Sequence, residues 1–461
     1  MIGVLGIFVS LALLMYLAYR GISVLILAPL LSLGAVLAGG DPRVLAAFTQ
    51  IYMVSLGGFV AKYFPLFLLG AVFGRLMSDS GSASSISRWI IRGLGPKQAP
   101  LALVLACAIL TFGGVSVFVV VFAAYPVAVE LFRNSGTPKR LIPAAILLGG
   151  ATFTLSGLPG TPSIQNAMPM PYFGTDTFAA PGVGTIGGLV MFAWGALWLS
   201  RRARWAAEAG EGYGDHPHDA LDATPSPHEP PVLVALVPLV TVLAVNLVTT
   251  WWVIPAMDLA YLSEAKYGAV GVNDVRGIWA LVASLSVAIA TAVVLHWPRW
   301  RDLKGSVNQG TFSSMLPIFN TASEIGYGAV IASLAAFTAV QVAIAGVSSN
   351  VLVSEAISVN IMAGITGSAA GGLGLALGML GQAYAEMGAA AGINPELLHR
   401  VAAISAGGLD SLPHNGAVIT LLGICRLTHR ESYFDIFMVS VVGPLIALAA
   451  VLAVGTTFGS F

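Results

Sequence analysis

The chain alternates long apolar runs with polar breaks, and the runs are of two kinds. Ile2–Tyr19, Ile22–Ala38, Val183–Ser200, Leu233–Ile254, Ile278–Trp297 and Phe434–Val454 are uninterrupted and almost free of charge. Each is close to the ~20 residues that an α-helix needs to cross a bilayer. Four other runs are broken from within. Leu101–Phe132 is split by Gly113-Gly114-Val115-Ser116, and Ile357–Gln382 by Thr366-Gly367-Ser368-Ala369-Ala370-Gly371-Gly372. Leu141–Pro171 contains LSGLPGTPSIQN, and Leu397–Ile424 contains SAGGLDSLPHNG. The runs lack the apolar–polar alternation of lipid-facing barrel strands, so the pattern predicts an all-α polytopic membrane protein.

The glycine-broken runs predict re-entrant helical hairpins at about 101–132 and 350–391. The proline-broken runs predict spanning helices interrupted near the midplane, at about 141–173 and 397–425. No charged residue occurs between Leu141 and Asp176, so the first proline break lies at membrane depth. Non-helical backbone is tolerated there only when it is buried in protein or lines a wet cavity. That makes it a candidate binding site on physical grounds alone. Ala46–Met77 exceeds one span and carries Lys62 and Pro65, which predicts a kinked or two-part helix. Phe312–Phe337 is a further span bearing Asn320, Thr321, Ser323 and Glu324. Ser78–Pro100 reads as a polar connection with a short amphipathic helix, and Asp258–Arg276 as a polar segment.

Composition agrees with this reading. Of 461 residues, 57% are hydrophobic and 9% charged, with mean hydropathy +0.87, against roughly 25% charged in soluble proteins. A formal net charge of zero argues against a nucleic-acid partner. Cys107 and Cys425 sit in apolar runs with no ligand spacing and read as packing residues. The N-terminal run lacks a basic leader and a small-residue cleavage site, and reads as a first span. The hydrophilic segment 206–231 divides the chain nearly in half. Its His216, His218 and His228 with Asp215, Asp219 and Asp222 resemble a metal cluster, but the Pro and Gly content favours a solvated linker. No cofactor is expected.

Charge then sets topology. With the N-terminus outside and both glycine-broken runs returning to the side they left, 16 of the 21 Lys and Arg fall inside, from Arg20 through Arg430. The second hairpin then enters from outside, flanked by Glu355 and Glu386. Each half, 1–205 and 232–461, reads as span, span, span, hairpin, broken span, span, in opposite orientations. Ser116 to Pro162 and Ser368 to Pro413 are each about 45 residues, the matching spacing a repeat requires. Inverted repeats of about five spans plus one hairpin, with broken helices, mark secondary transporters.

The run GGVSVFVVVFAAYPVAVELFR, the turn TPKRLIP, the stretch FTLSGLPGTPSIQN and the later LDSLPHNGAVITLL resemble the GntP (gluconate:H⁺ symporter) family, closest to its hydroxy-acid (3-hydroxybutyrate) permeases. The resemblance implies an ion-transporter-superfamily fold with a scaffold domain and a moving, elevator-type transport domain, often as a homodimer.

Carboxylates need fixed donors, and helix N-termini offer free N–H groups and a favourable dipole. Gly114, Val115 and Ser116, with Gly367, Ser368 and Ala369, would present such groups at hairpin tips; the alternative is helix-packing glycine. At the breaks, Gly160, Thr161, Gln165, Asn166, Ser411, His414 and Asn415 can hold a carboxylate and a hydroxyl, or merely cap the half-helices. Asp410 and His414 are candidates for proton coupling, against a structural Asp–His bond, and Glu324 is a second proton or cation carrier candidate. Lys62 can meet a substrate carboxylate or snorkel. Asp176 is expected at the outer mouth.

These residues predict a carrier in the bacterial inner membrane that imports a small carboxylate or hydroxy-acid with H⁺ by alternating access. Na⁺ coupling is the nearest alternative and a carboxylate channel a further one. An intramembrane enzyme is not expected, since no nucleophile–base pair, phosphate loop or zinc spacing is read.

Overall fold

The computed structural model of the protein describes residues 2–20, 22–95, 98–216, 229–339, 348–413 and 415–461. Every regular element among them is helical. A helix satisfies its backbone donors and acceptors internally, which lipid demands. Five described helices are long and apolar enough to cross a membrane: Val44–Asp79, Pro181–Glu208, Val232–Ala256, Val272–Leu295 and His429–Phe458.

The two halves present their elements in the same order. The first has Ile2–Tyr19 and Val24–Ala38, the long helix Val44–Asp79, a helical pair Ala99–Phe112 and Val117–Ser135, the pieces Ile142–Ala151 to Met170–Phe173, then Pro181–Glu208. The second has Val232–Ala256 and Val272–Leu295, the long helix Leu303–Ser333, the pair Val351–Thr366 and Ala369–Ala390, the pieces Pro395–Ala406 and Gly416–Cys425, then His429–Phe458. We call the pairs hairpins 1 and 2, and the interrupted helices broken helices 1 and 2. Three of the long helices carry a π-helical stretch, at Ala47–Tyr52, Thr249–Val253 and Met438–Val442. Such bulges loosen the backbone ladder locally and recur at functional sites.

Packing sorts the helices into two groups. Leu303–Ser333 runs along Met53–Asp79, and Val24–Ala38 and Val272–Leu295 close round this pair. In the other group Ala99–Phe112 packs on Ile142–Ala151, hairpin 2 on Pro395–Ala406, and Pro181–Glu208 on Gly443–Phe458. The groups meet chiefly where Leu303–Ser333 lies against Ala369–Ala390 and where Ser82–Leu94 lies against Ala99–Phe112. Apolar residues of both belong to one continuous core that includes Phe73, Leu103, Ile146, Ile318, Tyr327, Leu377 and Val401.

The 78–100 connection contains a short helix as read, Ser82–Leu94, with Ser82, Ser85 and Ser87 buried. Ser82 Oγ is 2.9 Å from His296 Nε2, and Ser85 donates to the Pro230 carbonyl at 2.7 Å. The polar segment before the span at Ile278 is shorter than read, because the helix starts at Val272. Asp274 reaches back to accept from the Gly271 N–H at 2.7 Å and fixes that start. Glu355 is not an outer flank. Asn350 caps hairpin 2 through the Leu352 N–H at 2.9 Å, which carries Glu355 into the second turn at 0% exposure.

The ends of the hydrophilic linker are pinned by ions. Arg140 bridges Glu211 at 2.6 Å and Asp435 at 2.7 Å, Arg202 joins Asp435 at 2.7 Å, and Arg88 reaches Glu229 at 2.9 Å. Of the histidine-rich cluster, His218, Asp219, Asp222 and His228 lie outside the described residues.

Candidate functional site

Each hairpin turns at a glycine that its neighbours require. Gly114 has φ +95° and Gly367 has φ +62°, both in the left-handed region that a Cβ disfavours. A side chain on Gly114 would also press on Pro162 Cγ at 3.1 Å, so tip 1 sits directly on the break of broken helix 1. Val115 donates to the Leu110 carbonyl at 3.0 Å, and Ser116 occupies the N-cap of the returning arm without a side-chain capping bond. At tip 2, Ser368 caps the returning arm through the Gly371 N–H at 3.0 Å, and Ala369 opens that helix. Both returning arms therefore begin at the tips and point their positive dipole ends there.

Broken helix 2 grips tip 2 through one amide. Asn415 Nδ2 donates to the carbonyls of Gly367 and Asp410, each at 2.8 Å, while its Oδ1 caps the second piece through the Val418 N–H at 2.8 Å. Asp410 is half-buried and accepts from the Ser411 hydroxyl at 3.0 Å. Tyr433 donates to the Ser411 carbonyl at 3.1 Å and holds the loop against the last long helix. His414 lies outside the described residues.

Broken helix 1 is held by residues to which the sequence reading gave no role. Arg400, at 0% exposure, donates to the Ala179 carbonyl from Nε at 3.1 Å and from Nη2 at 2.7 Å. Its Nη1 reaches the Ser156 carbonyl at 3.2 Å and Asn166 Oδ1 at 3.1 Å. His399 Nε2 donates to the same Oδ1 at 3.2 Å, which leaves Nδ1 to accept from the Thr175 hydroxyl at 2.6 Å. Asn166 Nδ2 donates to the carbonyls of Thr161 and Thr177, at 3.0 and 2.8 Å. Asn246 ties Gly160 in from a third helix, donating to its carbonyl at 3.2 Å. The rule that makes Asp410 suspicious, an ionisable residue inside an apolar run, applies equally to His399 and Arg400.

The buried hydroxyl of Thr161 stands apart, because its Oγ1 has no hydrogen-bond partner. Gln165, four residues on, is half-buried. Glu324 comes from the long helix Leu303–Ser333 and reaches the first turn behind tip 2. Gly371 has no room for a Cβ because the Glu324 carboxylate occupies that space. Breaks 1 and 2 also approach each other, since a Cβ on Gly407 would lie 3.6 Å from Ser156 Oγ. Thus tip 1 meets break 1 at Pro162 and tip 2 meets break 2 through Asn415, with Glu324 beside the second.

A cavity of about 330 Å³ lies between the helix groups, lined by Ser55, Phe59, Lys62, Tyr63, Tyr172 and Ile325 among others. Lys62 is exposed to it. At the far end of broken helix 1, burial raises the Asp176 carboxyl above its ordinary value, while Arg276 at 3.7 Å opposes the shift.

Over 461 residues the chain is 41% identical to the uncharacterized transporter YxjC of Bacillus subtilis (strain 168), and the match covers 97% of each. The chain belongs to the YxjC transporter family. A shorter match, 41% identical over 83 residues, relates 18% of the chain to 20% of an uncharacterized transporter of Haemophilus influenzae. The model of the Na⁺/H⁺ antiporter family matches residues 218–412 of this transporter. Its fold is that of the Alcanivorax borkumensis YdaH transporter, with TM-score 0.58, 14% identity, and 91% of this chain and 90% of that one covered. It is equally that of Neisseria gonorrhoeae MtrF, described with a class of antimetabolite efflux pumps, with TM-score 0.57, 14% identity, and 90% and 84% covered. The transporter is thus a multi-pass membrane protein that works on a small solute.

Proposed function

We propose that the transporter imports a small carboxylate, such as a hydroxy-acid, with protons across the bacterial inner membrane. The observation that carries this reading is the pairing of each hairpin tip with a break. The pairing puts helix N-termini and freed backbone groups at each break, with the unpartnered Thr161 hydroxyl in the first. N–H groups at helix starts suit a carboxylate, and a hydroxyl suits the second oxygen of a hydroxy-acid. Lys62 lines the cavity between the helix groups, where its ammonium would attract an anion. Asn166 and Asn415 brace the loops that make the site, while Thr161, Ser116 and the tip backbones meet the solute. Asp410, Glu324 and His414 are the coupling candidates.

The matching order of elements supports two inverted repeats, 1–205 and 232–461, joined by the 206–231 linker. The two packing groups support a static scaffold and a moving elevator-type domain, and the resemblance to GntP permeases supports a homodimer. The Na⁺/H⁺ antiporter match favours a second reading, in which Na⁺ takes the place of the symported proton. Proteoliposomes given an inward proton gradient without Na⁺, and a panel of radiolabelled gluconate, lactate, 3-hydroxybutyrate and short fatty acids, separate the two. Accumulation of one acid that collapses with a protonophore supports proton symport. Uptake that appears only with Na⁺ moves the assignment to the second reading, and no uptake of any acid under either gradient removes both.

A further inference from the structure

Hairpin 2 contains a carboxylate that the site above does not use. Glu355 lies on the hairpin's first arm, twelve residues before Gly367, which places it about 18 Å along the helix from the tip. It is 0% exposed, and neither Oε1 nor Oε2 has a hydrogen-bond partner. An ionised carboxylate in such a place would carry the full desolvation penalty of a buried charge. A structural role would ordinarily supply a partner for its O–H, and none is present among the described residues.

The other polar groups of this part of hairpin 2 bond to one another and not to Glu355. Tyr384, on the returning arm, donates to Ser358 Oγ at 2.7 Å and lies 3.2 Å from the Ser354 carbonyl. Ser358 in turn donates to the Ser354 carbonyl at 2.8 Å. Other ionisable groups on the elements packed against this arm are few. The returning arm adds Glu386, and Pro395–Ala406 adds Glu396, His399 and Arg400, the last two bonded into break 1. Among the described side chains Ile2–Tyr19 contributes Tyr16, and Gly443–Phe458 contributes none.

We propose that Glu355 is a proton carrier of the transport cycle, loading and releasing one proton as hairpin 2 moves. In the release step the Glu355 O–H bond breaks, its proton passes to a water admitted by that movement, and the carboxylate is left briefly ionised. Reprotonation from water on the other side restores the acid. This assignment rests on the proton-symport reading above and adds a specific carrier to it.

The test compares wild type, Glu355→Gln and Glu355→Asp in proteoliposomes, using the acid that wild type accumulates. Two readouts are needed: uptake driven by an imposed proton gradient, and counterflow of labelled acid with no gradient. Gln mimics the neutral acid in size and shape, so Glu355→Gln is expected to keep counterflow within about two-fold of wild type. Gradient-driven accumulation should fall at least ten-fold, and Glu355→Asp should recover part of it with a displaced pH profile. Glu355→Gln that accumulates acid like wild type overturns the assignment and leaves symport standing. Loss of counterflow and accumulation together, with Glu355→Asp behaving as wild type at every pH, marks a structural residue and also overturns it. Wild type that ignores the proton gradient refutes the symport reading itself, and the carrier role with it.

Discussion

Thr161 and Asn166 stand five positions apart and differ in how fully they are bonded. Asn166 uses both ends of its amide on protein partners, whereas the Thr161 hydroxyl is buried and unmatched. A buried hydroxyl without a protein partner costs ~1–3 kcal/mol, which makes Thr161 a candidate contact for the solute. Thr161→Val keeps the shape and removes the hydroxyl. We expect its melting temperature to stay level or rise, while affinity for the transported acid, read by thermal shift or binding calorimetry, falls about ten-fold. That factor corresponds to ~1.4 kcal/mol, within reach of one hydrogen bond to a charged group. Unchanged affinity would assign Thr161 to packing alone.

Among elements, the hairpins and breaks were legible in the sequence because glycine and proline carry their conformational reasons with them. Gly114 and Gly367 have to turn, and Pro162 and Pro413 stand in the gaps between helical pieces, although Pro65 and Pro317 lie inside continuous helices. What those turns touch was not legible. Nothing in the order of letters says that Asn415 reaches the Gly367 carbonyl, that Arg400 threads into the first break, or that Glu355 is drawn inside its arm. These are tertiary pairings between segments far apart in the chain, and periodicity has no access to them. The Asn415 contact has a direct consequence at this scale. Removing it as Asn415→Ala deletes a helix cap, worth ~1 kcal/mol, and frees tip 2. Hydrogen exchange over residues 363–371 should quicken while that over hairpin 1 does not. Equal change in both hairpins would mean general loosening rather than release of a latch.

For the whole molecule, the charged ends of the linker tie both halves together on one face. Arg140 holds Glu211 and Asp435 at once, so residues 140, 211 and 435 share one ion cluster. The bonds from Arg140 hold the Glu211 carboxyl below its ordinary value. A carboxylate shifted downward contributes stability that is complete above the ordinary range near pH ~4.3. That contribution is lost as pH falls through the lowered folded-state value. Wild type should therefore melt higher than Glu211→Gln at neutral pH, and the two curves should converge on acidification. A gap that persists to low pH would show that the difference is not carried by ionised Glu211.

The path of Arg400 also bears on how the chain is made. The carbonyls of Ser156 and Ala179 belong to the first half, and the guanidinium that satisfies them arrives from the second. During synthesis more than two hundred residues must emerge before that cation exists. Until then the Ser156 and Ala179 carbonyls lack the donor that satisfies them in the folded protein. Packing at the first break is therefore finished only once residue 400 is delivered, and the first half depends on the second for it.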